Sequence, residues 1–451
     1  MITPNLKKLA IRGATWTLLG YGISQLLRLV SNIILTRLLN PHLFGLVSLV
    51  STFLVALATF SDIGLAPNVI QNPRGEKSEF LNTAWTIQAI RGIILWLGSI
   101  LIAWPAAIFY ERQELLYLIP ILGLTMITAG FSSTAILTLN RRLELAKLNI
   151  YELTIFSVNI ITMIIWALLN PSVWALVGGT LLSSVVKMVS SFKLIPNYSN
   201  RFFWDKSAAD EIFSFGKWIF ISTAFTFVAT QADKLILGKV VSLEILGVYT
   251  IAFTFALMPQ SIISKISTKV ILPVLSKMTD LSRQQLRRKL LKQRRIVLLG
   301  GIVLVTLIVC FGDQLILHLY DNRYVQASWM LPILGLGIWP NLLFESSGQS
   351  LIALGKPSYQ AWGQIAKSIH VTVGLILGYY WFGILGFVVI VALNDIELYA
   401  VVSYGLFKEG LSCLDQDLLA TLLLLFVIFS VLMARYYLGF GWPLALLKPS
   451  H

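Results

Sequence analysis

Apolar residues run along this chain in long blocks separated by short polar stretches. Neither the alternation of a half-buried strand nor the one-sided stripe of a soluble helix organises most of it. About 20 apolar residues wound as a helix cover the roughly 30 Å hydrocarbon core of a bilayer. Twelve blocks meet that length, over approximately 14–39, 43–66, 83–109, 115–139, 149–169, 172–195, 215–240, 244–268, 295–319, 328–353, 359–381 and 383–406. A thirteenth, about 418–438, is equally apolar. The pattern predicts an all-α polytopic membrane protein. A membrane β-barrel would instead show alternating segments of about 10 residues.

Composition agrees. The 451 residues are 57% hydrophobic and 12% charged, where a soluble chain carries about 25% charged residues. A net charge of +14 suggests nucleic acid at first sight, but the charges sit in short loops, where membrane-insertion rules account for them. Lys7, Lys8 and Arg12 precede the first block, which has no small-residue cleavage site and reads as a retained helix. With the N-terminus in the cytoplasm, most of the 35 Lys and Arg fall inside, among them Arg74, Lys77, Arg141, Arg142, Lys367 and the 265–295 segment. Arg37, Arg112, Lys239, Arg323, Arg435 and Lys448 fall outside. That asymmetry sets the expected orientation. Cys310 and Cys413 are far apart and suggest neither a disulfide nor a metal site.

The chain also repeats itself. Leu35-Thr36-Arg37-Leu38-Leu39 with Gly45 matches Leu237-Gly238-Lys239-Val240-Val241 with Gly247 at one constant offset. Ile119-Pro120-Ile121-Leu122-Gly123-Leu124 matches Leu331-Pro332-Ile333-Leu334-Gly335-Leu336 further on. Two six-helix bundles follow, related by a pseudo-twofold axis along the membrane normal, with a substrate site expected at their interface. The expected partition is a first bundle over 1–196, a cytoplasmic linker over 197–214, a second bundle over 215–408, and an extra helix with its tail over 409–451. In the long basic loop, Ser282 and Gln285 have capping-box spacing, and Leu286, Leu290 and Leu291 form one apolar stripe. This predicts a short helix lying on the membrane surface against anionic lipid. Capture of a substrate pyrophosphate is the alternative.

Candidate chemistry reduces to polar residues within the blocks. There is no Walker A pattern and no His-Glu-x-x-His, the histidines are scattered, and no outer loop could hold a catalytic domain. The chain therefore reads as a non-enzyme with no cofactor and no metal. Charges inside a bilayer usually line pathways. Arg28 and Asn32 share one face of the first helix, and Gln231, Asp233 and Lys234 lie in the seventh. By the repeat these helices are symmetry mates. Either Asp233 pairs with Arg28 or Lys234 and staples the halves, or Arg28 and Lys234 line a wet cavity that binds an anionic headgroup. Asp62, near the cytoplasmic end of the second helix, reads as a cap or pairing partner, with an ion, proton or substrate site as the alternative. Glu345, between Pro332, Pro340 and Gly348, and Asp395 are candidate ion or proton sites or buried structural carboxyls.

Several motifs together resemble a known family. They are Gly13-Ala14-Thr15-Trp16, Leu35-Thr36-Arg37-Leu38-Leu39-Asn40-Pro41 with Phe44-Gly45, Asp62-Ile63-Gly64-Leu65, Asn140-Arg141-Arg142, Asp233-Lys234-Leu235-Ile236-Leu237-Gly238, Leu246-Gly247-Val248-Tyr249, and Ala353-Leu354-Gly355-Lys356-Pro357. In order and spacing they resemble the polysaccharide transporter family of bacterial flippases (Wzx-like) in the multidrug/oligosaccharidyl-lipid/polysaccharide superfamily. The resemblance implies two helical bundles that alternate access across the bacterial inner membrane. It implies an undecaprenyl-pyrophosphate-linked oligosaccharide as cargo, held by basic cavity residues, and polysaccharide polymerase and glycosyltransferases as partners besides membrane lipids. The extra block 418–438 departs from that pattern and, as an odd span, would leave the C-terminus outside. An ion-coupled multidrug antiporter of the same superfamily is the other reading. It would line its cavity with acidic groups, whereas Arg28, Asp233 and Lys234 are net cationic.

Overall fold

A computed structural model describes residues 4–142, 144–196, 198–268 and 282–445, and no strand occurs among them. The part of the basic loop that holds Lys269 and Lys277, and Lys448 in the tail, lie outside the described residues. In chain order the helices are α1 (Pro4–Leu38), α2 (Pro41–Phe60), α3 (Leu65–Gln71), α4 (Ser78–Tyr110), α5 (Leu115–Phe131), α6 (Ala135–Arg141), α7 (Leu145–Leu169) and α8 (Val173–Ser191). Then come α9 (Lys206–Val240), α10 (Leu243–Ala256), α11 (Met258–Ile266), α12 (Arg283–Leu319), α13 (Ala327–Gly337), α14 (Trp339–Ala353), α15 (Ser358–Leu393), α16 (Ile396–Lys408) and α17 (Leu414–Tyr437). Each predicted apolar block is helical. Among the described residues nine helices are long and apolar enough to cross a membrane, or ten if α5 and α6, bent by 60°, form one span. Two further helices, α1 and α9, cover the first and seventh blocks with 35 residues each.

Helix ends follow local chemistry. Pro41 begins α2 behind an extended Asn40, where its missing N–H costs nothing. The tenth block breaks at Ile338 into α13 and α14, with Pro340 in the first turn of α14. The blocks 359–381 and 383–406 meet at Gly383, whose φ of 57° and ψ of −142° reverse the chain. Either side of that turn, Gly378 and Gly386 bring the two arms of α15 together, and a Cβ on Gly386 would stand 2.1 Å from the Gly378 carbonyl oxygen. Tyr380, Trp381 and Phe382 are exposed at the tip, the usual place for aromatic anchors at a membrane interface.

Two compact units divide the chain. The first comprises 1–227 with 238–243, and the second 228–237 with 244–451. Helix α9 therefore contributes its first part to one unit and 228–237 to the other. In the first unit α1 runs beside α7 in the same direction: Gly20 lies against Asn149, and Leu35 and Leu39 pack with Met163 and Ala167.

In the second unit the structure corrects the reading of the basic loop. Ser282 does cap a helix, accepting from the Gln285 N–H. That helix is no separate surface element. It continues without a break into the ninth span as the 37-residue α12. Its stripe of Leu286 and Leu290 is buried against Phe344, Leu351, Leu398 and Val402, with Leu291 packed on the same cluster. An apolar stripe flanked by arginines fits a protein groove as well as a lipid surface, so periodicity could not separate the two.

The segment after α8 forms a strap over the first unit. The N–H groups of Arg201, Phe203 and Asp205 donate to Asn82 Oδ1, Thr86 Oγ1 and Thr83 Oγ1 at 3.1, 3.0 and 3.0 Å. Alternate residues of an extended chain direct their N–H groups to one side, which suits them to the start of α4. Arg74 then grips Asp205 at 2.6 Å and Glu211 at 2.9 Å. Arg74 holds the Asp205 carboxyl below the ordinary range, while the Asn72 amide and then Arg74 do the same for Glu211. A carboxylate whose folded pKa is lowered stabilises the fold above its ordinary pKa and loses that contribution as pH falls through the lowered value. The latch is expected to hold from neutral pH to about pH 4 and to loosen below it. Hydrogen exchange over 198–211, corrected for intrinsic rate, checks this; unchanged protection down to about pH 2 would count against it.

Candidate functional site

Arg28 lies in the first unit, on α1. The side chain is exposed, and its guanidinium sits 5.8 Å above the centre of the Phe156 ring from α7. It has no carboxylate partner among the described residues. Asn32 follows one turn on, half-buried, with its carbonyl accepting the Thr36 hydroxyl at 2.7 Å.

Gln231, Asp233 and Lys234 belong to the second unit, on α9. Lys234 Nζ donates to Gln231 Oε1 at 3.1 Å, an i to i−3 pairing on one helix face. Asp233 points elsewhere. It is buried, and its Oδ2 accepts the Tyr249 hydroxyl from α10 at 2.5 Å. The Tyr249 ring is held in turn by Phe253 and Phe387. Within the second unit, the reading that pairs Asp233 with Lys234 thus gives way to a hydrogen bond from Tyr249. Adjacent helix residues point about 100° apart, so Asp233 and Lys234 cannot serve one face. Asp233 Oδ1 is buried without a hydrogen-bond partner among the described residues.

The remaining candidates separate by environment. Asp62 Oδ1 accepts the Gly64 N–H at 2.9 Å and closes the turn that leads into α3. Glu345 lies on α14, and its Oε2 is buried without a hydrogen-bond partner among the described residues. Asp395 is buried in an ion pair with Lys367 Nζ at 2.7 Å. Charge sorting assigns Lys367 to the cytoplasmic side but gives it no partner; the structure supplies Asp395. One turn on, His370 Nδ1 meets Glu397 Oε1 at 2.7 Å. An i, i+3 pair of basic residues in an apolar block, followed by two acidic ones midway along the next, is the signal that reveals this layer.

Sequence reasoning also missed two ion pairs that set the thirteenth helix. Arg294 of α12, with its side chain 0% exposed, donates to Asp417 of α17 at 2.7 Å. It is further bonded to Ser346 Oγ and the Leu343 carbonyl. At the far end Arg435 of α17 pairs with Asp313 of α12, both buried. Each helix thus supplies one arginine and one aspartate. The matched order shows that α12 and α17 run parallel. Both pairs are separated by about 27 Å of helix, close to the thickness of the hydrocarbon core. Span 418–438 therefore crosses in the same sense as the ninth.

Comparison with known proteins agrees with this architecture. A family model described as "Polysaccharide biosynthesis protein" matches residues 34–329. Over 339 residues the chain is 25% identical to the succinoglycan biosynthesis transport protein ExoT of Rhizobium meliloti, covering 74% of this chain and 67% of that one. It is 24% identical to the lipopolysaccharide biosynthesis protein WzxC of Escherichia coli, covering 83% and 79%. Among solved structures, the lipid II flippase MurJ in an inward closed conformation superposes with a TM-score of 0.73 at 16% identity, covering 94% of this chain and 92% of that one. An inward-facing multidrug resistance MATE family transporter of the MOP superfamily gives 0.71 at 14%, covering 86% and 94%.

Proposed function

Since the chain belongs to the polysaccharide biosynthesis protein family, as a Wzx-like transporter of the multidrug/oligosaccharidyl-lipid/polysaccharide superfamily, we propose that it flips undecaprenyl-pyrophosphate-linked oligosaccharide repeat units across the bacterial inner membrane. Two six-helix modules, with the N-terminus in the cytoplasm, would alternate access to the two leaflets. A sugar pyrophosphate cannot enter hydrocarbon with its water shell, so the path must offer positive charge in its place.

One observation carries the reading. The two intramembrane cations singled out from the sequence, Arg28 and Lys234, have no carboxylate partner among the described residues, since Lys234 bonds the neutral Gln231 and Arg28 covers Phe156. Asp395 is neutralised by Lys367, whereas Asp233 bonds the uncharged Tyr249 hydroxyl. Arg28, Asp233 and Lys234 together are net positive, which suits an anionic cargo better than a cationic drug. Glu345 Oε2, buried without a hydrogen-bond partner among the described residues, favours a coupling ion or proton alongside that cargo.

The test is export. Arg28→Ala and Lys234→Ala are expected to cut surface polysaccharide at least about tenfold, as losing a charge-assisted contact would, while lipid-linked repeat units accumulate and protein level holds. Normal export by both variants, or loss of the protein itself, would remove the proposed role of these residues.

A further inference from the structure

In the first unit a cavity of about 350 Å³ opens between the start of α4, the end of α6 and the strap. Its wall carries Glu76, Ser78, Asn82, Arg142, Tyr198 and Arg201. Small-molecule sites begin at roughly 300 Å³, so the space accommodates a phosphate with a small organic group.

The charges define the chemistry. Arg142 grips Glu76 through two hydrogen bonds, at 3.3 and 3.2 Å, which neutralises the one carboxylate in the wall. Arg201 is exposed to the cavity, and its backbone N–H is bonded to Asn82, but its guanidinium has no acceptor among the described residues. Two guanidinium groups thus border the space with one balancing charge. Planar guanidinium forks match phosphate oxygens, and hydrogen bonds between such charged partners are the strong ones. The Ser78 and Ser199 hydroxyls lie in the same wall. The Tyr198 hydroxyl is held by Thr134 at 2.8 Å, so that side is already built.

We propose that this cavity binds a phosphate ester headgroup, and that filling it fastens the strap to the first unit. Tyr198, Ser199 and Arg201 come from the strap, while Glu76, Ser78, Asn82 and Arg142 come from the helix bundle. A bound phosphate bridges the two and opposes lifting of 198–205. The site would thereby control how firmly the strap is held on the first unit.

The full chain in nanodiscs of neutral phosphatidylcholine is titrated with glycerol 3-phosphate, and separately placed in equal parts phosphatidylcholine and phosphatidylglycerol. The readout is hydrogen-exchange protection of 198–205. Either addition is expected to raise protection. A response to the soluble ester alone assigns a free phosphate ester, and a response to the bilayer alone assigns a lipid headgroup. Arg201→Glu should weaken the effect about tenfold or more, and Ser199→Glu provides a second way to oppose the anion. Lys193→Glu, an exposed site on the same segment and outside the cavity, should leave it unchanged. No protection from either addition, or equal losses from Arg201→Glu and Lys193→Glu, overturns the proposal.

Discussion

Replacing Arg294 with alanine is expected to destabilise the protein by about 3–5 kcal/mol, because it leaves Asp417 charged and buried without its partner. Asp417→Ala should cost a similar amount, since it strands a fully buried guanidinium, and Tyr399 would lose its bond to Asp417 Oδ2 as well. The double substitution Arg294→Met with Asp417→Leu removes both charges and keeps apolar volume, so it should recover most of the loss. The exposed pair Arg323–Asp321 serves as the contrast. Its disruption should cost no more than about 1 kcal/mol. Denaturant unfolding in micelles measures all of these. A loss below about 1 kcal/mol for both single variants would show that Arg294 and Asp417 do not depend on each other.

Gly386→Val is expected to be the second most damaging change. The new Cβ would fall on the Gly378 carbonyl oxygen, which is backbone and cannot rotate away, so the arms of the hairpin must part. A loss of about 3 kcal/mol or more is expected, at the upper end of overpacking penalties. Gly383→Ala meets nothing within 4 Å and pays only for its φ of 57°, about 1–3 kcal/mol. The two variants therefore separate crowding from backbone strain. If Gly383→Ala proved the more harmful, the close contact of the arms would not be what limits this hairpin.

The apolar blocks were legible because a bilayer imposes a length on any helix that crosses it. Hence each block could be read as a helix, and the boundary near residue 382 fell on the observed turn. Direction around a helix was not legible. Asp233 and Lys234 are neighbours in sequence at one depth, and only packing decides that one faces Tyr249 and the other Gln231. Lys367 was sorted to the cytoplasmic side with no partner named, because charge sorting cannot distinguish a cation near a span end from one buried against Asp395. For the same reason Arg294 and Arg435 were counted by side of the membrane, and their partners were not sought. The cap at Ser282 was readable from spacing, but whether Leu286 and Leu290 met lipid or protein was not.

The parallel pairing of α12 with α17 bears on how the protein is made. Asp417 follows Arg294 by 123 positions in the chain, and Arg435 follows Asp313 by 122. At typical translation speeds each waits about 6–25 s for its partner. During that interval the ninth span resides in the bilayer with an arginine and an aspartate still unmatched. A copy that lacks α17 would keep both charges stranded in the membrane, and is expected to be less stable for it.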